Sequence, residues 1–154
     1  FAMVIPFIYG NYVVSYSVSQ SVILISAMIF FAGFAREVQG TIRDLAGDVE
    51  ARNARTIPKA IGVSAAAWLA LLAYAAAIAV SAALALLVKP FMLNLVFIAP
   101  IAISDALLAG VGIGYIKNGE RRFYDKARNI SLAAMSIALL AILASAAGAS
   151  LLIA

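Results

Sequence analysis

The stretch Arg36–Lys59, REVQGTIRDLAGDVEARNARTIPK, holds nine of the eighteen charged side chains in the sequence. Within it Glu37, Thr41, Asp44 and Asp48 fall at i, i+4, i+7 and i+11. A helix carried through the stretch therefore lines three carboxylates along one face. Arg36 and Arg43 repeat seven apart beside them, as do Gly40 and Gly47. On such a helix Asp44 and Asp48 lie about 6 Å apart, a repulsion of roughly 2–3 kcal/mol at an effective dielectric near 20. A divalent cation relieves it, and Mg2+ is commonly held by one or two carboxylates together with substrate phosphates. Arg36, Arg43, Arg52 and Arg55 supply forked donors of the kind that grip phosphate oxygens. Together these residues describe a metal-bridged diphosphate site at a membrane surface. The same spacing also suits a solvated loop whose charges set topology and pair with one another.

The elements that must position these residues are apolar. Of 154 residues, 66% are hydrophobic and 12% charged, with a mean hydropathy of +1.07; a soluble domain carries about 25% charged residues. This composition excludes an ordinary cytosolic enzyme, a disordered chain and a nucleic-acid binder. Residues 1–35, 60–88 and 129–154 carry no charge, in runs of 35, 29 and 26 residues. Each exceeds the roughly 20 residues a helix needs to cross a bilayer. The expected fold class is all-α: a polytopic transmembrane bundle of about five spans forming a single domain over 1–154. The spans are expected at about 1–18, 21–38 and 58–87, then from beyond Lys89-Pro90 to about 116, and finally at 130–154. The polar stretch Tyr16–Ser21 separates the first two, and the third opens on Pro58, where a missing N–H is harmless.

Five spans put the charged segments 36–59 and 117–129 on one side of the membrane. That side holds ten Lys and Arg, and the other holds Lys89 alone. The positive-inside rule places both segments in the cytoplasm. With no cysteine and no histidine, thiolate catalysis, His metal ligands and a Ser-His-Asp triad are excluded. Phe1 already lies in an apolar run with no basic region before it, which does not fit a cleavable signal peptide. The sequence starts and stops within apolar helix, as a piece of a longer polypeptide would.

Several residues outside the motif carry alternatives. Asp105 falls in the middle of the fourth span, where it either helps to bind substrate or caps a neighbouring helix while protonated. In the second charged segment Lys117, Arg122, Lys126 and Arg128 either close over the diphosphate or mark topology and touch anionic lipid. Asn11, with Tyr9, Tyr12 and Tyr16, puts polar groups in or near the first span, facing a reaction chamber or the membrane interface. Gly110, Gly112 and Gly114 suit close helix packing.

The stretch from Arg36 to Pro58 resembles the second Asp-rich motif of the UbiA superfamily of intramembrane prenyltransferases. Arg-Glu, then Arg-Asp-Leu-Ala-Gly-Asp, then Arg-Thr-Ile-Pro is most similar to the archaeal branch of digeranylgeranylglyceryl phosphate synthases. The resemblance implies Asp44 and Asp48 as Mg2+ ligands, with Glu37 as a first acidic residue. Arg55 lies near the basic residue that usually precedes the Thr, here Thr56. Gly10-Asn11 resembles the family's fifth helix, and Lys126–Met135 the segment leading into its last. Asn53 or Arg52 replaces the usual Gly, with one extra residue between Asp48 and Arg55. The family has nine helices and a first motif, N-D-x-x-D-x-x-x-D, that this sequence lacks, so the likeness covers the C-terminal half, helices five to nine.

The resemblance implies a mechanism as well. Mg2+ between the two motifs would neutralise the diphosphate of a prenyl donor, and an acceptor would attack the allylic cation. The implied partners are a prenyl diphosphate, most simply geranylgeranyl diphosphate, a lipid acceptor such as geranylgeranylglyceryl phosphate, membrane lipid, and the N-terminal half with its first motif. An aromatic acceptor of the 4-hydroxybenzoate or quinone type is the alternative within the family. A transporter or channel segment is the alternative outside it. Without the ligands of the first motif, the five spans alone are expected to be inactive.

Overall fold

A computed structural model describes residues 4–45, 56–117 and 121–151. The described residues form six helices and no strand: α1 (Ile5–Ser15), α2 (Gln20–Leu45), α3 (Ile57–Ile61), α4 (Val63–Leu87), α5 (Leu95–Lys117) and α6 (Arg121–Leu151). Helices α2, α4, α5 and the Arg122–Gly148 part of α6 are each long and apolar enough to cross a membrane. The protein is an all-α membrane protein, as expected. The first expected span is represented by α1, whose 11 residues cover about 16 Å of a hydrocarbon core roughly 30 Å thick.

Three boundaries differ from the expected ones. Helix α2 does not stop near residue 38 but runs to Leu45, because Val38, Gln39 and Ile42 keep one of its faces buried. Its 26 residues span about 39 Å, so the last turns project past an apolar layer of roughly 30 Å. The expected span 58–87 is broken at Gly62, whose φ of 88° and ψ of 154° separate α3 from α4. Helix α6 begins at Arg121, inside the charged segment rather than at 130. There Tyr124, Ala127 and Ser131 are buried while Arg122, Asp125, Lys126 and Arg128 are exposed. That i, i+3, i+7 pattern gives the helix one covered face before it reaches its charge-free part.

The four long helices pack in a ring, α2 against α4, α4 against α5, α5 against α6 and α6 against α2. Small residues set the closest contacts. Ala66, Ala70, Ala73 and Ala77 of α4 are buried at i, i+4, i+7 and i+11, a stripe that lets the α2 backbone approach. The outer surface is apolar too, with Trp68, Leu72, Leu86, Ile103 and Leu140 exposed, as suits side chains that meet lipid. Several polar groups inside the ring are tied to other helices or to their own backbone, whereas Ser26 Oγ of α2 is buried with no hydrogen-bond partner among the described residues. Ser104 of α5 donates to the Ala134 carbonyl of α6 at 2.7 Å, and Ser145 to the Ala141 carbonyl at 2.7 Å.

Candidate functional site

The projecting end of α2 builds one wall of a polar recess of about 290 Å³. Arg36, Glu37, Gln39, Gly40, Thr41, Arg43 and Asp44 come from α2, Tyr115 from α5, and Arg128 and Ser131 from α6. Because α2 stays helical through this stretch, the sequence spacing becomes geometry: Glu37, Thr41 and Asp44 lie on successive turns. Thr41 is held by its own helix, its Oγ1 donating to the Val38 carbonyl at 2.8 Å. Arg43 Nε and Nη2 donate to Asp44 Oδ1 at 3.0 and 2.8 Å, which leaves the carboxylate oriented by a guanidinium fork.

The floor of the recess is buried. Gln39 is 2% exposed, and the Tyr74 hydroxyl, from the middle of α4, donates to its Oε1 at 3.0 Å. Gln39 Nε2 and Arg36 Nε are both buried with no hydrogen-bond partner among the described residues. Aromatic packing fixes the opposite wall. Tyr115 stacks on Tyr124 with ring centroids 4.7 Å apart and meets Phe123 edge-on at 5.7 Å. Gly114 makes room for this cluster, since a Cβ there would collide with Phe123 Cζ. Of the alternating glycines of α5, Gly114 and Gly112, the latter against Leu71 and Tyr74 of α4, serve close packing in line with the sequence, whereas a Cβ on Gly110 would meet nothing within 4 Å.

Of the residues singled out from sequence, Arg36, Glu37, Arg43, Asp44 and Arg128 are brought together here. Asp48, Arg52 and Arg55 lie outside the described residues. Asn11 is elsewhere: its Oδ1 accepts from the Ser19 N–H at 3.1 Å, bracing the turn between α1 and α2. Lys117, Arg122 and Lys126 are exposed and do not line the recess. Gln39, Tyr74, Tyr115 and Ser131 were not singled out. The one available signal was Gln39, a polar residue three positions after Arg36.

A second cavity, of about 270 Å³ and almost wholly apolar, lies deeper in the ring. Met28, Ala32 and Gly33 of α2, Leu108 of α5, and Met135, Ala138 and Ile142 of α6 line it, with Asp105 among them. Gly33 precedes Arg36 by three positions and Met135 follows Ser131 by four, so the cavity begins one helical turn from the recess. Asp105 accepts from Ser81 Oγ at 2.5 Å across α4 and α5.

Chemically, the recess offers guanidinium and amide donors beside two carboxylates, Glu37 and Asp44. Among the described residues no three His, Cys, Asp or Glu side chains converge as a metal cage. A hard cation such as Mg2+ commonly takes one or two carboxylates and completes its shell with phosphate and water. The donor set fits such an ion together with an oxyanion.

Over 146 residues, 95% of its length, the chain is 30% identical to the digeranylgeranylglyceryl phosphate synthase of Archaeoglobus fulgidus. It spans about half the length of that relative. No family model matches the chain, and no solved structure matches it significantly. The likeness carried by Arg36–Pro58 thus extends along nearly the whole sequence, which is a homologue of a UbiA-type synthase over about half of that protein.

Proposed function

We propose that this chain forms a single transmembrane domain, half of a Mg2+-dependent intramembrane prenyltransferase. The enzyme transfers a geranylgeranyl group from its diphosphate to geranylgeranylglyceryl phosphate, the step that makes an archaeal ether lipid. The observation that carries this reading is the adjacency of the two cavities. A recess with Arg36, Arg43 and Arg128 suits a diphosphate, and an apolar cavity one turn away suits the isoprenoid attached to it. The name of the archaeal relative supports the lipid acceptor over an aromatic one. Acidic residues gathered at the end of α2 argue against a transporter segment, whose sites cluster near the bilayer midplane. The ten-to-one distribution of Lys and Arg supports a cytoplasmic position for the recess.

Within this reading Asp44, together with Asp48 four residues further in sequence, would hold Mg2+, with Glu37 earlier on the same helical face as Asp44. The ion, when bound, neutralises the diphosphate and makes it a better leaving group. Arg36, Arg43 and Arg128 orient the diphosphate and stabilise the charge that grows on it as the allylic C–O bond breaks. Arg43 also keeps the Asp44 carboxylate aimed. Arg52 and Arg55 add donors from the sequence that follows. The apolar cavity excludes water from the cationic carbon, so that the acceptor hydroxyl, rather than water, captures it. The N-terminal half supplies the first motif.

The test is a transfer assay in membranes containing the full-length protein, with labelled geranylgeranyl diphosphate, Mg2+, and both geranylgeranylglyceryl phosphate and 4-hydroxybenzoate. Label in the glyceryl ether is expected. Asp44→Ala is expected to abolish transfer and to weaken Mg2+-dependent binding of the donor at least about tenfold. Label on the aromatic ring would move the protein to the aromatic branch. Donor binding unchanged in Asp44→Ala would overturn the metal assignment.

A further inference from the structure

We infer that Gln39 is a substrate-contacting residue: its Nε2 donates a hydrogen bond to an oxygen of the oxyanion bound in the recess, and Tyr74 is the positioning residue that aims it. This rests on the diphosphate reading of the recess and adds a neutral donor to its arginines. A glutamine buried to 2% exposure in a helix that faces apolar neighbours needs partners for both ends of its amide. Among the described residues only one end has one. The Tyr74 hydroxyl, reaching across from α4, donates to Oε1 at 3.0 Å. In that contact the carboxamide lies with Oε1 toward Tyr74, which leaves Nε2 as a buried donor on a side chain that lines the recess.

The neighbouring unpaired atom has the same chemistry. Arg36 Nε is also buried without a partner among the described residues, one turn before Gln39 on the same helix, and its side chain lines the same recess. Two orphaned side-chain donors and no orphaned side-chain acceptor among the described residues of one recess call for a ligand rich in acceptor oxygens, as a phosphate group is. Leaving such donors dry is costly, so the ligand or water must meet them when the site is in use. The two donors differ in kind. Arg36 attracts any anion over a distance, whereas the Gln39 amide, clamped by Tyr74, accepts only an oxygen placed in line with it. Gln39 therefore contributes registration of the oxyanion rather than charge.

The experiment measures binding of inorganic diphosphate, with Mg2+ present, to the purified full-length protein and its variants. Gln39→Met keeps length and apolar packing but lacks the donor, and is expected to bind about tenfold more weakly, as for loss of one hydrogen bond to a charged acceptor. Gln39→Glu keeps the acceptor for Tyr74 and turns the donor into a charged oxygen; its loss is expected to be larger still. Tyr74→Phe is expected to weaken binding severalfold in the parent and not at all in the Gln39→Met background, because Tyr74 acts through that amide. A purely structural Tyr74 would show the same loss in both backgrounds. Parent-like affinity in Gln39→Met and Gln39→Glu, with affinity lost in Arg36→Ala, would overturn the inference and leave the diphosphate reading intact. Parent-like affinity in Arg36→Ala and Asp44→Ala would instead sink the diphosphate reading itself.

Discussion

Asp105 lines an apolar cavity, yet it has a partner: Ser81 Oγ donates to its Oδ2 at 2.5 Å, joining α4 to α5. Ser81 is 1% exposed, and its hydroxyl also contacts the Ile78 carbonyl of its own helix at 2.8 Å. From sequence Asp105 either binds substrate or caps a neighbouring helix; its partner Ser81 lies inside α4 rather than at a helix end, so the contact is a brace between two helices instead of a cap. The consequence for stability is specific. Ser81→Ala strips the carboxyl of this donor and is expected to cost about 1–3 kcal/mol, the penalty for a buried polar group left unmade. Adding Asp105→Leu to Ser81→Ala removes the orphan and is expected to recover most of that loss, since replacing both partners by apolar groups can be nearly neutral. Thermal unfolding of the three proteins in detergent gives the comparison. If Ser81→Ala melts with the parent, the pair braces nothing and Asp105 returns as a candidate for ligand binding.

Among the helices, the break between α3 and α4 turns on one residue. Gly62 has φ 88° and ψ 154°, and nothing lies within 4 Å of where its Cβ would stand. A side chain there meets no neighbour, so the whole cost of Gly62→Ala is backbone strain, expected at about 1–3 kcal/mol and measurable by chemical unfolding. A variant as stable as the parent would show that α3 and α4 can join as one helix. Gly114 is required for the opposite reason, because Phe123 occupies its side-chain space. The Gly114 requirement was legible in the sequence as close helix packing, although its partner Phe123 was not. Four of the five expected spans were legible too, because long charge-free runs separated by two charged clusters leave few ways to cross a bilayer. The Gly62 break was not, because Pro58 alone already accounts for a helix start. The continuation of α2 was legible as a condition: the acidic spacing had meaning only if the helix ran on, and it does, to Leu45. In the recess Arg36, Glu37, Arg43 and Asp44 were found because they share one helix and one period. Gln39–Tyr74 was not, because the two residues are 35 apart and their contact exists only once α2 packs on α4. Tyr115 and Ser131 were hidden in the same way, as ordinary members of apolar spans.

At the scale of the whole molecule, the ring of α2, α4, α5 and α6 stacks a charged recess over an apolar cavity, and the proposed reaction needs both. A prenyl diphosphate has one end that only arginine and metal can hold and another that only a dry cavity can hold. If one ligand bridges the two, altering the cavity must change how the protein treats donor length while leaving the diphosphate end untouched. Ala138 of α6 lines the cavity and packs at the edge of the core without being fully buried, so a larger side chain there enters the open space with limited strain. Ala138→Phe is expected to weaken binding of geranylgeranyl diphosphate about tenfold or more, because the ring fills volume that the chain would otherwise take from water at roughly 25 cal/mol per Å². A five-carbon prenyl diphosphate, too short to pass far beyond the recess, is expected to bind as it does to the parent, and so is inorganic diphosphate. Competition binding of the three ligands to parent and variant measures this directly. Equal losses for all three would mean that the substitution disturbs α6 as a whole. No loss for any of them would mean that the isoprenoid lies elsewhere, along the lipid-facing surface rather than inside the ring.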